Sequence, residues 1–443
     1  MSLRKKFIMD CIKSNNHLVN TLLFPGSIMI SSYDTETFIN NYSSDFDPDE
    51  LHILYIPFIS TKLLNVCNQP KYIPCLLKIA RKNAGTTFVI HMHGNACDVN
   101  HISMCATRES YSLNCHYLIV EYPGYGICEG SPSQSLIDDM LYVVYDFVIN
   151  QLRVPTHKVV LIGRSIGTGP VTKLAAVLQI EKRSVAAVIL QSPYTSLRNA
   201  ASDLVGTCIS SSCMIERWET WKILARDQSS LACPVLLIHA DQDQIIDVYH
   251  SESMHAARLK LGLPSTLYIQ KSTYDFIKGH NHYDYDTDVI VPSRDFLAKY
   301  VHHSGLWPIN LDKVKQYIIR PYDFPKFDMN KSKIWTISNC IRWSYCPCIA
   351  CCELMTALTC NICNNCDNND GFQYQPKSQR KLNTDPLINT EKVKKFIKTG
   401  SIRSLDVDNN KEDRATINPI LHETIIFDND KKNGAPVIEF VPG

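Results

Sequence analysis

One serine, Ser165, stands between two glycines in the stretch GRSIG at residues 163–167. A run of β-forming residues precedes this stretch, and a helix-forming run at residues 171–180 follows it. A serine between glycines at a strand-to-helix turn is typical of a nucleophile elbow, where the backbone is strained and a Cβ at either glycine would clash. The pattern therefore predicts that the Ser165 hydroxyl acts as a nucleophile.

A serine nucleophile needs a base, and the base needs an acid that orients it. In one hydrolase architecture these groups follow the serine in the order acid, then histidine. The loop HADQDQIID at residues 239–247 supplies the acid, and we predict Asp243, with Asp247 and Asp241 as reserves. Any one of these aspartates alone is more typical of a polar surface loop. An EF-hand is rejected because the loop lacks the central glycine and the twelfth-position glutamate.

The base is predicted in the sequence GHNH at residues 279–282, where His280 is favoured over His282 because a preceding glycine lets the loop turn back. A solvated loop histidine is the alternative. The oxyanion of a tetrahedral intermediate needs amide donors, and we predict those of Ile166, after the nucleophile, and of Asn95, after the sequence HG. The alternative for Asn95 is an ordinary turn at the end of a strand.

These residues follow short apolar runs that alternate with helical patterns, which indicates a mostly parallel sheet flanked by helices. Because ligands bind at the carboxyl ends of such strands, the candidate residues should meet at one edge. The sequence therefore predicts an α/β fold of the α/β-hydrolase type. Eight strands are predicted, at residues 52–56, 73–80, 86–92, 117–121, 158–162, 185–190, 234–239 and 266–270.

The chain of 443 residues divides by composition into four parts. We predict an N-terminal extension at residues 1–50 and a catalytic domain at residues 51–303, with a small cap insertion over the site at about residues 196–230. A cysteine-rich segment at residues 304–366 and a largely disordered polar tail at residues 367–443 follow. The net charge of +1 gives no indication of nucleic-acid binding.

Eight of the 18 cysteines lie between residues 340 and 366, among aromatic and aliphatic residues. This composition suits an S-acylated membrane anchor, since several acyl chains together give stable attachment. A zinc site built from two C-x2-C pairs and an inert thiol-rich linker are the alternatives. The candidate acylation sites are Cys346, Cys348, Cys351 and Cys352.

No signal peptide and no apolar stretch of transmembrane length is recognised, so the expected location is cytoplasmic, with peripheral association to membranes. The ten scattered cysteines are then expected to be reduced thiols in the core.

Over about residues 50–300 the chain resembles the α/β-hydrolase domain-containing protein 17 family. The resemblance implies a membrane-associated serine hydrolase that removes palmitoyl groups from protein thioesters, with Ser165 as nucleophile, Asp243 as acid and His280 as base. Two features differ from the family: Arg164 replaces a smaller polar residue, and the family's cysteine-rich anchor is N-terminal. The motifs that carry the resemblance are FVIHMHGNACDV (88–99), EYPGYGICEGS (121–131), VLIGRSIGTGP (160–170), QSPYTS (191–196), VLLIHADQDQIID (235–247) and GHN (279–281).

The resulting hypothesis is a serine hydrolase of acyl esters and thioesters that works at membranes without a metal ion or organic cofactor. Its expected partners are acylated membrane proteins or lipid-like acyl substrates and the membrane surface, with no nucleic acid. A lipid or small-ester hydrolase and a serine peptidase remain alternatives, since the same triad serves all three. An alternative of another class is a catalytically silent, membrane-tethered interaction module.

Overall fold

The structure is a computed structural model that describes residues 24, 51–58, 69–95, 97–205, 217–301 and 305–323. The four candidate acylation cysteines, the predicted tail and nearly all of the N-terminal extension lie outside these residues.

In the described part of the chain, eight strands form one sheet in the order β1-β2-β4-β3-β5-β6-β7-β8. Strand β2 runs antiparallel to both of its neighbours, and the other neighbouring pairs are parallel. The predicted mostly parallel, eight-stranded sheet is therefore confirmed. The strands are β1 (Leu51–Pro57), β2 (Tyr72–Lys78), β3 (Thr87–Met92), β4 (Cys115–Val120), β5 (Val159–Arg164), β6 (Ala187–Gln191), β7 (Val235–Ala240) and β8 (Ser265–Gln270).

Helices cover both faces of the sheet, because successive residues of a strand point to opposite faces and both sets are apolar here. In β5, Val159 and Leu161 pack into one hydrophobic cluster, whereas Val160 and Ile162 pack into the other. The described residues form the helices α1 (Ser103–Leu113), α2 (Gln134–Asn150), α3 (Thr168–Ile180), α4 (Leu197–Val205), α5 (Thr220–Ala225), α6 (Tyr249–Lys260), α7 (Val291–Tyr300) and α8 (Leu311–Tyr317).

The two faces carry different helices. Residues of α2, α3 and α6 belong to the first cluster, and residues of α1 and α7 belong to the second. This division leaves the carboxyl ends of β3, β5, β7 and β8 at one edge of the sheet, where the predicted chemistry lies.

The segment predicted as a cap contains α4 and α5 among its described residues. Helix α5 packs against α3 and α6, and α4 is tied to α6 by a 3.0 Å contact between Asp203 and the buried His250. A covering role over the site stays a prediction.

Among the residues described, no helix is both long and apolar enough to cross a membrane.

Candidate active site

Ser165 occupies a strained turn directly after β5 and before α3. Its φ is +51°, in the left-handed region that residues other than glycine adopt rarely. The flanking glycines make this turn possible: a Cβ on Gly163 would lie 2.5 Å from the Gly167 carbonyl oxygen, and one on Gly167 would lie 2.1 Å from that of Met92. The backbone around this strained turn is therefore packed too closely to accept a side chain at Gly163 or Gly167.

His280 reaches Ser165 from the loop that follows β8. Its Nε2 lies 3.1 Å from the Ser165 hydroxyl, and its Nδ1 lies 2.7 Å from Oδ2 of Asp243. An imidazole that carries its proton on Nδ1 satisfies both contacts, since it donates to the carboxylate and accepts from the hydroxyl. The three side chains therefore form one hydrogen-bonded chain from carboxylate to hydroxyl.

Asp243 is held rigidly in the loop after β7. Its side chain is fully buried, and its Oδ1 accepts the backbone N–H groups of Ile245 and Ile246 at 2.9 Å each. Burial acts to raise the pKa of Asp243, but the charge of His280 and the hydrogen bonds from His239 and His280 outweigh it, so the pKa lies well below its usual range. The carboxylate is therefore ionised at neutral pH.

His239, the last but one residue of β7, contacts the Asp243 carboxylate. Its ring is fully buried, with Nε2 2.8 Å from the Ile246 carbonyl oxygen and 3.4 Å from Oδ2 of Asp243. Its Nδ1 accepts the Ser251 hydroxyl at 2.7 Å. No sequence pattern singles out this histidine, because a histidine inside an apolar strand is usually a core residue.

The two reserve aspartates have other partners. Asp241 accepts the backbone N–H of Ser272 at 3.0 Å. The Ser272 hydroxyl in turn accepts the N–H of Lys278 at 2.8 Å. Asp241 therefore stabilises the start of the loop that carries His280. Asp247 accepts the N–H of Tyr249 at the start of α6. It is the Asp243 carboxylate that meets His280.

The alternative base, His282, turns away from the serine. Its Nδ1 donates to the Ile277 carbonyl oxygen at 2.8 Å, and its ring packs on Phe276 with the ring centres 4.3 Å apart. It closes the loop that carries His280.

The two predicted oxyanion donors stand at neighbouring strand ends. Met92 of β3 pairs with Gly163 of β5, and Asn95 and Ile166 each lie three residues beyond this pair. The Asn95 side chain accepts the Tyr125 hydroxyl at 2.7 Å. Their positions are compatible with donors on either side of Ser165, and their roles stay predictions.

The chain is similar to curated α/β-hydrolase domain-containing proteins. The α/β-hydrolase domain-containing protein aho-3 of Caenorhabditis elegans is 29% identical over 167 residues, which is 38% of this chain and 46% of the relative. The α/β-hydrolase domain-containing protein 17C is 30% identical over 169 residues in Xenopus tropicalis and in Homo sapiens, covering 38% of this chain and 50% and 47% of those proteins. Over the matched residues the chain is similar to the α/β-hydrolase domain-containing protein 17 family.

The chain spans about half the length of the curated family relatives it matches. No family model matches it. Among solved structures, an arylesterase is 14% identical over 57% of this chain and 82% of its own, with a TM-score of 0.40. An α/β-hydrolase from Vibrio vulnificus is 15% identical over 64% and 90%, with a TM-score of 0.44. Both are too distant to bear on substrate or mechanism.

A second buried pair of histidine and carboxylate lies at the ends of β3 and β4. His93, directly after β3, places Nε2 3.0 Å from Oε1 of Glu121, directly after β4, and both side chains are fully buried. Glu121 also accepts the N–H groups of Tyr122 and Val99, each at 3.0 Å. Glu121 was not among the predicted site residues, although a charged residue at the end of a buried strand is a signal that the sequence contains.

Proposed function

We propose that this chain is a serine hydrolase that cleaves acyl esters and thioesters, with Ser165 as nucleophile, His280 as base and Asp243 as the group that orients the base. The observation that carries the proposal is the imidazole of His280, which bonds Asp243 at 2.7 Å and Ser165 at 3.1 Å at the same time. The left-handed φ of Ser165 supports it, since such strain persists where the surroundings enforce it.

In the proposed reaction, Ser165 Oγ attacks the acyl carbonyl carbon while Nε2 of His280 accepts the hydroxyl proton. The ionised Asp243 stabilises the imidazolium that forms, and the amides of Asn95 and Ile166 donate to the oxyanion. The Nε2 proton then passes to the leaving thiol or alcohol, which leaves an acyl ester on Ser165. Water attacks this ester with His280 again as base, and the free acid departs.

The substrate class that we favour is a fatty-acyl thioester on a membrane protein, so that the reaction is protein S-depalmitoylation. The family resemblance motivates this choice. In the same proposal, acyl groups on Cys346, Cys348, Cys351 and Cys352 keep the cytoplasmic protein at the membrane surface, where such substrates are found.

Labelling with a fluorophosphonate probe tests the nucleophile. Wild type should be labelled and Ser165→Ala should not, because the probe forms a bond only with an activated serine. Ser135→Ala is the matched control, since Ser135 is exposed at the start of α2 and should leave labelling unchanged. An unlabelled wild type, or equal labelling of Ser165→Ala, would instead favour the silent interaction module.

Hydrolysis of palmitoylated peptides, monoacylglycerols and aminoacyl substrates of graded chain length tests the substrate class. We expect palmitoyl thioesters to have the highest kcat/KM in wild type and no turnover in Ser165→Ala. A preference for monoacylglycerols would identify a lipid hydrolase, and a preference for aminoacyl substrates would identify a peptidase.

Membrane fractionation before and after hydroxylamine tests the anchor. Hydroxylamine cleaves thioesters, so it should release the protein from membranes, as should replacement of the four cysteines by serine. Stoichiometric zinc in the purified protein would contradict acylation of these residues.

A further inference from the structure

Arg164, the last residue of β5, connects the nucleophile's strand to the loop of the base. Its Nη2 donates to the backbone carbonyl oxygen of His280 at 3.1 Å and to Oδ1 of Asn281 at 2.6 Å. Arg164 immediately precedes Ser165 in the chain. One side chain therefore joins the serine's own backbone to the backbone from which the imidazole extends.

The guanidinium is confined on two further sides. Its central carbon lies 5.8 Å from the centre of the Tyr283 ring, which is within the range of a cation–π contact. On the opposite loop, a Cβ added to Gly94 would lie only 2.9 Å from Nη1 of Arg164. The side chain is thus fitted between the loop that carries Asn95 and the loop that carries His280.

The loop of the base is stiff enough to transmit this restraint. Gly279 and His282 form a closed turn, since the Gly279 N–H donates to the His282 carbonyl at 2.8 Å and the His282 N–H donates back at 3.2 Å. His280 and Asn281 are the two residues inside this turn. A force on the Asn281 side chain or the His280 carbonyl therefore moves the imidazole with it.

The surroundings of the Arg164 guanidinium are unfavourable for a side chain whose only role is packing. Both hydrogen-bond acceptors are neutral oxygens, and in the described part of the chain the buried Nε has no hydrogen-bond partner. Arg164 is partly buried, and even partial burial of a cation among neutral dipoles costs free energy that an apolar side chain of similar length would avoid. The guanidinium supplies what such a side chain cannot, which is two directed bonds to the loop of the base.

From these contacts we infer that Arg164 is a positioning residue, which holds the backbone of His280 so that Nε2 stays aligned with the Ser165 hydroxyl. The inference rests on the proposed function for its effect on rate. Asp243 fixes the rotation of the ring, and Arg164 fixes the point from which the ring extends.

Steady-state kinetics of Arg164→Met tests the effect on rate. Methionine keeps the length of the side chain but donates no hydrogen bond, so kcat should fall about 10- to 100-fold, as expected when a catalytic group is displaced by a fraction of an ångström to about 1 Å. KM should stay within about twofold, because Arg164 acts through His280. Asn281→Ala should cost about three- to tenfold, since the bond to the His280 carbonyl remains.

Two further variants separate positioning from packing. Arg164→Lys should recover part of the lost kcat, because an ammonium group can still donate to one of the two acceptors. In the double variant with Arg164→Met, Asn281→Ala should add little, because both changes remove the same restraint. Additive losses, or no recovery with lysine, would contradict the inference.

The NMR resonance of the His280 Nδ1 proton, assigned by its loss in Asp243→Asn, provides a readout that does not depend on activity. In Arg164→Met this resonance should shift and exchange faster with water, while thermal unfolding changes much less than in a core variant. Wild-type kcat together with an unchanged resonance would overturn the inference. If Arg164→Met does not fold, Arg164→Lys and Asn281→Ala provide the same comparison.

The two proposals fail in different ways. If wild type is not labelled by the fluorophosphonate, the proposed function is wrong, and the proton resonance still shows whether Arg164 positions His280. If wild type is labelled and Arg164→Met is labelled at the same rate, only the positioning role is wrong.

Discussion

Two buried pairs of histidine and carboxylate lie at the carboxyl ends of the strands of this sheet, and their hydrogen-bond lengths are similar. His93 lies 3.0 Å from Glu121, and His280 lies 2.7 Å from Asp243. The difference is at the second ring nitrogen. Nδ1 of His93 faces the Gly94 carbonyl oxygen at 2.9 Å, which can only accept, whereas Nε2 of His280 faces the Ser165 hydroxyl, which can donate.

This difference separates a structural pair from a candidate catalytic pair. Both ring nitrogens of His93 face oxygen atoms that only accept hydrogen bonds, and neither faces a hydroxyl. The His93 ring therefore has no nucleophile to activate among these contacts, and the pair holds its neighbours in place. The Tyr122 hydroxyl donates to the His93 carbonyl at 2.8 Å, and the ring centres of the two residues lie 4.5 Å apart. The buried pair thereby fixes the loop that presents Asn95.

The largest effect is expected from breaking the candidate catalytic pair of His280 and Asp243. Asp243→Asn keeps the shape but cannot orient the Nδ1 proton of His280, so kcat should fall about 10⁴-fold with a small change in KM. Asp247→Asn is the matched control, since this carboxylate lies in the same loop and accepts the N–H of Tyr249. Kinetics on one thioester substrate decides the matter, and a drop for Asp247→Asn equal to that for Asp243→Asn would rule out the assignment.

The corresponding change from carboxylate to amide in the structural pair of His93 and Glu121 should lower the stability of the fold. Glu121→Gln leaves His93 without its carboxylate and places an amide where two backbone N–H groups need acceptors, so the free energy of unfolding should fall by about 4 kcal/mol. Urea denaturation measures this loss. As a control, Glu181→Gln removes a carboxylate from a surface ion pair with Arg183 and should cost less than about 1 kcal/mol.

If Glu121→Gln were as stable as wild type but inactive, the division between the two pairs would be wrong.

Much of this arrangement was predictable because it depends on local patterns. Ser165 is marked by its glycines and by the change from a strand to a helical period, and the strand ends follow from short apolar runs. His280 and Asp243 were harder, since each stands among similar residues and is distinguished by order along the chain. The structure brings these two residues together because β7 and β8 are neighbours in the sheet.

The remaining contacts depend on pairings that a single sequence does not reveal. Arg164 was recognised as a departure from the family, but its partners lie more than a hundred residues away in the chain. The partner of His93 is 28 residues away, directly after another strand. The small cap and the acylated cysteines stay predictions, and the four cysteines lie outside the described residues.

A third buried carboxylate, Glu109 of α1, sharpens the comparison because it has no histidine partner among the contacts of the described residues. The Tyr285 hydroxyl donates to its Oε1, and its Oε2 is buried without a partner in the described part of the chain. Burial raises the pKa of Glu109 from 4.5 to about 7, the opposite direction from Asp243. Its effect on stability should therefore have the opposite sign.

Between about pH 4.5 and 7 the folded protein holds the Glu109 proton more tightly than the unfolded chain does. Stability should therefore fall as the pH rises through this window, by about 3 kcal/mol from this group alone. Glu109→Gln removes that loss, so urea denaturation should show the variant gaining on wild type from pH 5 to pH 8. An equal difference between the two proteins at both pH values would contradict the raised pKa.

The smallest expected effect tests whether the structural region contributes to catalysis through Asn95. Tyr125→Phe removes the 2.7 Å hydrogen bond to the Asn95 side chain, so unfolding should become easier by about 1 kcal/mol and kcat should fall about threefold, with KM unchanged. Tyr145→Phe is the matched control, because this hydroxyl donates to the Arg183 carbonyl at 3.3 Å. It should lose similar stability and keep full kcat. If both variants lose kcat equally, the loss reflects general loosening of the fold, and the Asn95 loop has no separate role in the rate.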